Sequence, residues 1–520
     1  MTRLLRVAML VAHVELLIKK ATTIALDAEH GARPFTADIR VSGDRIVEIG
    51  PDLRADGVEV IDATRRLAIP GLVNSHFHSN QNFLRGRYPG RPLELLMLYA
   101  YPFDPTLAPS PELVYLRTLV VALESLRSGV TCLLDDCIEL PCQEPTQLEA
   151  LFRGYEDAGI RANCSGHVIN KPFLDTLPYA REFLPADLAD LLHGAPPPTT
   201  EHYLEFATEA VRRFHNRAGR LRYVIAPSGP QRCTDELLAA AAEFADGHDT
   251  AYHMHVLETK VQMVTGLELY GKSLVAHLRD VGALSRRLTM AHAIWITDDD
   301  IELMAEAGCS VAHNPVCNLR IGSGIAPLRK LLDASVNVGL GTDEIDCNDS
   351  GRIFDVMHLA GLVHTIGEAD YGRWPTAAEI LRAATMGGAR TVCLEREIGS
   401  LEAGKKADIV LLDLDAWPFV TLNDPCVHLV YAENGSSVTD VLVDGELLVR
   451  DGKLTRLDET EIMAEVRERM PELVAQRDRW EAVARRYEPH MKALYQHCMA
   501  QDTGLNRLAG NGVGVVATST

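Results

Sequence analysis

The stretch Pro70-Gly71-Leu72-Val73-Asn74-Ser75-His76-Phe77-His78 most constrains what this chain can become. The apolar residues Leu67-Ala68-Ile69 lead into it, a Pro-Gly break follows, and two histidines then stand one residue apart. In an extended strand, residues i and i+2 face the same side. His76 and His78 therefore reach one point in space from a rigid backbone. Neutral imidazole is a good ligand for zinc, iron and similar metals. The rest of the chain must supply the other ligands and a proton carrier.

From residue 71 to 395 apolar strand runs alternate with amphipathic helices. Strands are expected at Leu67–Ser75, Val130–Leu134, Ala162–Val168, Tyr223–Ala226, Ala251–Val256, Leu288–His292, Ser310–His313 and Val336–Leu340. Helices fall between them, as at Pro111–Ser128, Thr234–Phe244, Asp298–Ala307 and Thr376–Arg390. Eight strand–helix units over residues 67–396 predict an α/β fold, a (β/α)8 TIM-like barrel with its functional groups at the carboxyl ends of the strands. Residues 1–66 and 397–455 are β-rich on both sides of it, with Asp38–Ile49 alternating about the turn Gly43-Asp44. They are expected to pair as one small β-sandwich built from both chain ends. Residues 456–520 read as a charged helical extension over the barrel or a partner subunit, followed from 503 by a loose tail.

Composition narrows the partners. A net charge of -21 repels phosphate, which argues against nucleic acid and anionic membranes and leaves a small-molecule substrate. No run approaches 18 uninterrupted apolar residues. The eleven cysteines are odd in number and sit singly in apolar stretches, which predicts reduced thiols and a cytoplasmic location. Arg3, Arg6 and the run Val7–Ala12 resemble a short signal peptide. They lack a small-residue cleavage pattern and continue into Leu16-Leu17-Ile18, so a short cytoplasmic N-terminal arm is expected.

Further candidates fall at the ends of later strands. His253-Met254-His255-Val256-Leu257-Glu258 ends the fifth. His253 and His255 face the same way, so periodicity does not choose between them; His255 lies nearer the carboxyl end and is favoured. Glu258 follows at the strand-to-loop transition, where an unligated carboxyl serves proton transfer. His292 ends the sixth strand, and Asp343 follows the eighth in Gly341-Thr342-Asp343. A lone barrel histidine is more often a hydrogen-bonded core residue, and a lone Gly-Thr-Asp a turn or helix cap. Their common placement at strand ends is what singles them out.

Together these residues resemble the amidohydrolase superfamily, in its cytosine-deaminase-like branch with the adenosylhomocysteine deaminases and s-triazine hydrolases. The motifs are residues 70–78, His255-Val256-Leu257-Glu258-Thr259, Ala291-His292, Ala312 to Asn318, Leu340 to Asp343 and the marker Gly399 to Asp408. The resemblance implies one divalent metal per chain, zinc or iron, held by His76, His78, His255 and Asp343. Ile225-Ala226-Pro227-Ser228-Gly229-Pro230 holds no lysine to bridge a second ion. It implies a deaminase in which Asp343 takes a proton from activated water, Glu258 protonates the ring nitrogen and the leaving group, and His292 orients the attack. The implied substrate is an N-heterocycle (purine, pterin, pyrimidine or triazine). The alternatives are a relative with another leaving group, such as chloride or an amide or urea nitrogen, and a non-catalytic barrel scaffold. A dimer or larger homo-oligomer is also implied.

Substrate contacts are expected from Gln81 and Arg85 in the first loop, from His313 and Asn314 after strand seven, and from Glu344 beside Asp343. Gln81 offers both a donor and an acceptor to an amide-like ring edge. Glu344 opens an acidic run, Glu344-Ile345-Asp346-Cys347-Asn348-Asp349, that would favour an amino-rich group. Pro227-Ser228-Gly229-Pro230 lacks the histidine of many adenosine-type relatives.

Overall fold

In the computed structural model, which describes residues 15–102, 104–139, 144–188 and 196–508, two nine-stranded sheets divide the chain. The first is all parallel and runs in chain order: Leu72–His78, Val130–Asp135, Arg161–Val168, Leu221–Pro227, Tyr252–Val256, Leu288–His292, Ser310–His313 and Asn337–Leu340. Its ninth strand is only Asp343–Glu344. That short piece pairs with Phe77 and His78 of the first strand, while Asn337–Leu340 pairs with the seventh. Residues 337–344 are thus one strand bent at Gly341-Thr342, whose two halves bridge the last and first staves. The sheet closes as a barrel, and its edges disappear. Every residue of the first five barrel strands is buried, as expected of parallel strands covered by helices.

The first strand differs from expectation. Leu67–Ser75 is not one element: Arg66–Pro70 belongs to the other sheet and Leu72–His78 to the barrel. The chain changes sheet at Gly71, where a Cβ would lie 2.0 Å from Thr131 Oγ1. Only glycine lets the two backbones approach so closely.

The chain ends meet in the second, mixed sheet. Glu15–Thr23 pairs with Phe35–Ser42, with Glu59–Asp62 and with Arg66–Pro70; the last of these pairs in turn with Ile409–Asp413. Val438–Val443 and Glu446–Arg450 extend it. Its own core gathers Leu16, Ile18, Ile39, Val41, Ile409, Leu411 and Leu442. Arg161, at the foot of the third barrel strand, ties the two sheets together by buried ion pairs to Asp408 and Asp444.

The C-terminal extension is one helix, Glu459–Ala500. It lies on the helix Leu93–Ala100, with Trp480 Nε1 donating to Leu98 O at 2.8 Å and Arg477 Nη1 to Ala100 O at 2.9 Å. Ala484, Tyr487, Met491 and Leu494 share a core with Leu93, Leu96, Val261 and Val264. The expected loose tail is docked as far as residue 508: Ile325 N–H donates to Arg507 O at 2.8 Å, and the Arg507 guanidinium to Ile296 O. The expected N-terminal arm lies outside the described residues.

Candidate metal centre

The carboxyl ends of strands one, five, six and eight converge on one buried point. His76 Nε2 is 3.1 Å and His78 Nε2 3.4 Å from Asp343 Oδ1, and His78 Nε2 is 3.2 Å from His255 Nε2. His292 Nε2 lies 3.5 Å from Asp343 Oδ2. Donors about 2.0–2.2 Å from a tetrahedral zinc stand roughly 3.3–3.6 Å apart, and the spacings among His76, His78, His255 and Asp343, 3.1–3.4 Å, fall at or within about 0.2 Å below that range. Gly341 admits this approach: a Cβ there would lie 2.4 Å from Asn314 Oδ1 and 2.9 Å from His76 O. His292 and Asp343 adopt φ of 76° and 62°, a left-handed backbone that non-glycine residues take at a cost of order 1–3 kcal/mol.

The outer hydrogen bonds show what the centre wants. His78 Nδ1 is 2.6 Å from Asp136 O, His255 Nδ1 is 3.1 Å from Ser228 O and His292 Nδ1 is 2.9 Å from Asn318 Oδ1. Each partner is an acceptor, so each Nδ1 carries the proton and each Nε2 turns a lone pair inward. His76 Nε2 and His292 Nε2 are buried with no hydrogen-bond partner. Lone pairs aimed at one another, beside a carboxylate, require a cation between them, and the residues present fit a divalent metal. The same demand sets the ionisation. Burial opposes a charge on His78, yet Asp343 raises it to about 10. Burial likewise pushes Asp343 up, but the imidazoles of His292 and His76 hold it well below the usual carboxylate range. His253, the alternative to His255, backs the cluster from outside, with Nε2 2.9 Å from His76 Nδ1.

Glu258 stands beside the cluster, its Oε2 3.7 Å from His292 Nε2. Burial first, then the charges of Asp343 and Glu344, push its carboxyl well above the usual range. These surroundings favour its protonated form.

A cavity opens onto these groups, walled by Glu344, Leu93, Met97, Tyr101, Ile138 and Phe173 among others. Glu344 Oε1 accepts from Gln81 Nε2 at 3.0 Å and from Tyr101 OH at 2.6 Å. Gln81 thus stands behind Glu344. Arg85 is half-exposed, pairs with Glu124 at 2.5 Å and borders a neighbouring cavity instead. His313 turns outward, its Nε2 2.9 Å from His364 Nε2. Asn314 Nδ2 lies 3.4 Å from His292 Nδ1, beside that ring. Neither His313 nor Asn314 lines the cavity. Sequence reasoning missed Tyr101, Asp136, His167 and Arg232. His167 ends a predicted strand, a signal available beforehand; Arg232 and Tyr101 lie in loops that carry none.

Known proteins resemble this chain in sequence and fold. The amidohydrolase family profile matches residues 67–448. A 5'-deoxyadenosine deaminase of Methanosarcina mazei is 32% identical over 463 residues, covering 89% of this chain and 99% of that protein. The crystal structure of a zinc-bound adenosine deaminase from Xanthomonas campestris superposes with a TM-score of 0.76 at 27% identity, over 91% of this chain and 99% of that one. An atrazine chlorohydrolase from Arthrobacter aurescens TC1, complexed with zinc, gives 0.79 at 28% identity over 88% and 100%. On its sequence, its fold and its centre, the chain belongs to the amidohydrolase family.

Proposed function

We propose that the chain is an aminohydrolase, replacing an amino group on a ring carbon of an N-heterocycle with oxygen from water and releasing ammonia or a small amine. Glu258 carries this reading. It is a buried carboxyl outside the donor cluster, within 3.7 Å of His292, in surroundings that favour its protonated form, and a nitrogen leaving group needs a proton. The family and its named relatives make the chain a hydrolase of carbon–nitrogen bonds.

A divalent ion held by His76, His78, His255 and Asp343 would supply a Lewis acid and water of lowered pKa. Asp343, kept ionised, is the base that receives a proton, and its Oδ2 faces His292 at 3.5 Å. His292 is fixed by Asn318 and points Nε2 at both carboxyls, so it orients what lies between them. Glu258 gives its proton to a ring nitrogen and takes another on to the leaving group. The apolar wall of Leu93, Met97, Ile138 and Phe173 excludes bulk water and strengthens these charges.

We further infer one ion per chain, zinc before iron: of the three buried donor groups among the described residues, two share His255 and so describe one centre, the third (Glu344, Asp346, Cys347) holds no histidine, and the neighbouring structures are zinc-bound. The ten described cysteines are free, nine of them buried, which supports a reducing, cytoplasmic setting. The test of the reaction is ammonia release by zinc-loaded enzyme over purines, purine nucleosides, pterins, pyrimidines and triazines. Release that a chelator abolishes and zinc restores is expected. Chloride or carboxylate release without ammonia, or a purified protein holding well under one metal per chain, would overturn the reading.

A further inference from the structure

Across the cavity from Glu344, strands three and four carry a second set of polar groups with no part in the reaction. Their register places His167 beside Ala226 and Val168 beside Pro227. The loops that follow are tied together: Ser228 N–H donates to Val168 O at 2.8 Å, Lys171 N–H to Arg232 O at 3.2 Å, and Arg232 N–H to Gly229 O at 3.0 Å. Both His167 and Arg232 line the cavity.

Each is left wanting a partner. Arg232 Nη1 donates to Ser228 Oγ at 3.2 Å and Nη2 to Met97 Sδ at 3.3 Å, both neutral and the sulfur a weak acceptor. Among the described residues no carboxylate forms an ion pair with it, although its charge is felt by Glu258, Glu94 and His167 around the same space. His167 is 8% exposed, and its Nε2 has no hydrogen-bond partner. Its Nδ1 lies 2.9 Å from Asp136 Oδ2, whose other oxygen accepts from Ser165 Oγ at 2.6 Å. The proton therefore sits on Nδ1, and Nε2 presents a bare lone pair to the cavity. A guanidinium donor and an imidazole acceptor thus line the same cavity as the proton carrier Glu258, and the guanidinium charge acts on that carboxyl.

We propose that Arg232 and His167 are specificity-determining residues that read a ring lactam, with Arg232 donating to the exocyclic oxygen and His167 Nε2 accepting from the adjacent ring N–H. The substrate is then an oxo-substituted amino-heterocycle, in preference to its fully aminated or unsubstituted counterpart. This rests on the aminohydrolase reading and narrows it. A site built to hydrogen-bond a polar edge rejects the analogue that lacks it far more strongly than an apolar pocket rejects a methylene.

The experiment compares matched pairs, ammeline with melamine and guanine with 2-aminopurine, on zinc-loaded wild type, Arg232→Met, Arg232→Lys and His167→Gln. Ammonia release gives kcat/KM, and calorimetry gives binding independently of turnover. Wild type should favour the oxo member by about a hundredfold or more. Arg232→Met should bring each pair to within about tenfold with zinc content and melting temperature retained, and Arg232→Lys should recover part of the preference. Equal use of both members by wild type, or an undiminished preference in Arg232→Met, overturns the proposal and leaves the aminohydrolase reading standing. If no compound releases ammonia, that reading fails by itself. Calorimetry then decides the lactam edge: oxo-selective binding lost in Arg232→Met upholds it, and indifferent binding rejects it.

Discussion

On the metal side of the cavity, every proposed working group lies within three residues of the carboxyl end of a barrel strand: His76, His78, His255, Glu258, His292 and Asp343. Each histidine there is braced by a partner of its own. On the opposite side most groups come from loops and short helices, Met97 from Leu93–Ala100, Phe173 and Arg232, and His167 alone of those named stands on a barrel strand. That side is held from outside, by the 42-residue helix that clamps Leu98 and Ala100. One side is built into the barrel and the other laid over it. Reaction type is therefore set by the part of the fold that changes least readily, and substrate choice by the part that tolerates change.

Glu258→Gln is the largest test of that division. The substitution keeps shape and removes the proton, so kcat should fall by about 10²–10⁴-fold. The fall should be the same on every substrate, with zinc content unchanged. If one substrate lost far more than another, Glu258 would belong to recognition and the two sides would not be separable.

Asp136 is the residue where they meet. Its carbonyl braces His78, and its carboxylate holds His167 and lies 3.8 Å from His255 Nδ1. Removing an outer partner of metal-binding histidines typically costs about 10–100-fold in metal affinity. Asp136→Asn keeps the backbone carbonyl that braces His78 and removes only the carboxylate charge beside His255, so a zinc-chelator competition should show a loss below that range. Because His167 also loses the partner that fixes its proton, preference within a matched substrate pair should weaken in the same variant. Loss of zinc affinity with preference intact would mean that His167 does not read the substrate.

The same division explains how much was legible. Sheet order and strand positions followed from apolar runs bounded by turns, and two strands, Leu288–His292 and Ser310–His313, have the predicted limits. The metal side was legible because a strand-end histidine has a fixed direction once the barrel is assumed. His255 was preferred over His253 on depth alone, and the structure places His253 behind His76. The fused strand Leu67–Ser75 was misread because hydrophobicity continues across Gly71 while the chain changes sheets. The covering side left little trace. Leu93 and Met97 lie in a largely apolar run with no site signal of its own, and both join the cluster that the C-terminal helix completes. Arg232 is a charged residue in a short loop, with nothing local to turn it inward; its setting comes from contacts to strand three and helix 93–100.

The smallest expected effect belongs to neither side, and it guards the comparison against a false reading of pH profiles. His215 follows the helix Thr200–Phe214 and precedes the fourth strand, at the end of the barrel away from the cavity. Burial, then the charge of Arg222, lowers it to about 4 from an ordinary 6.5, and Arg222 Nε lies 3.4 Å from its Nε2. In the folded protein the ring stays neutral, whereas the unfolded chain takes up a proton below 6.5. Stability is then full above about pH 6.5 and falls as pH drops toward 4, with no further loss from this group below that. The side chain is partly exposed, so the loss should be on the order of 1–2 kcal/mol, less than the full shift would give at about 1.4 kcal/mol per unit. Urea unfolding midpoints of wild type and His215→Gln across pH 4–7 measure it, and the variant should show a shallower acid slope. If wild-type activity declined over this window while His215→Gln stayed active, the acid limb would be one of folding, and the ionisation of the metal side would have to be read from the variant instead.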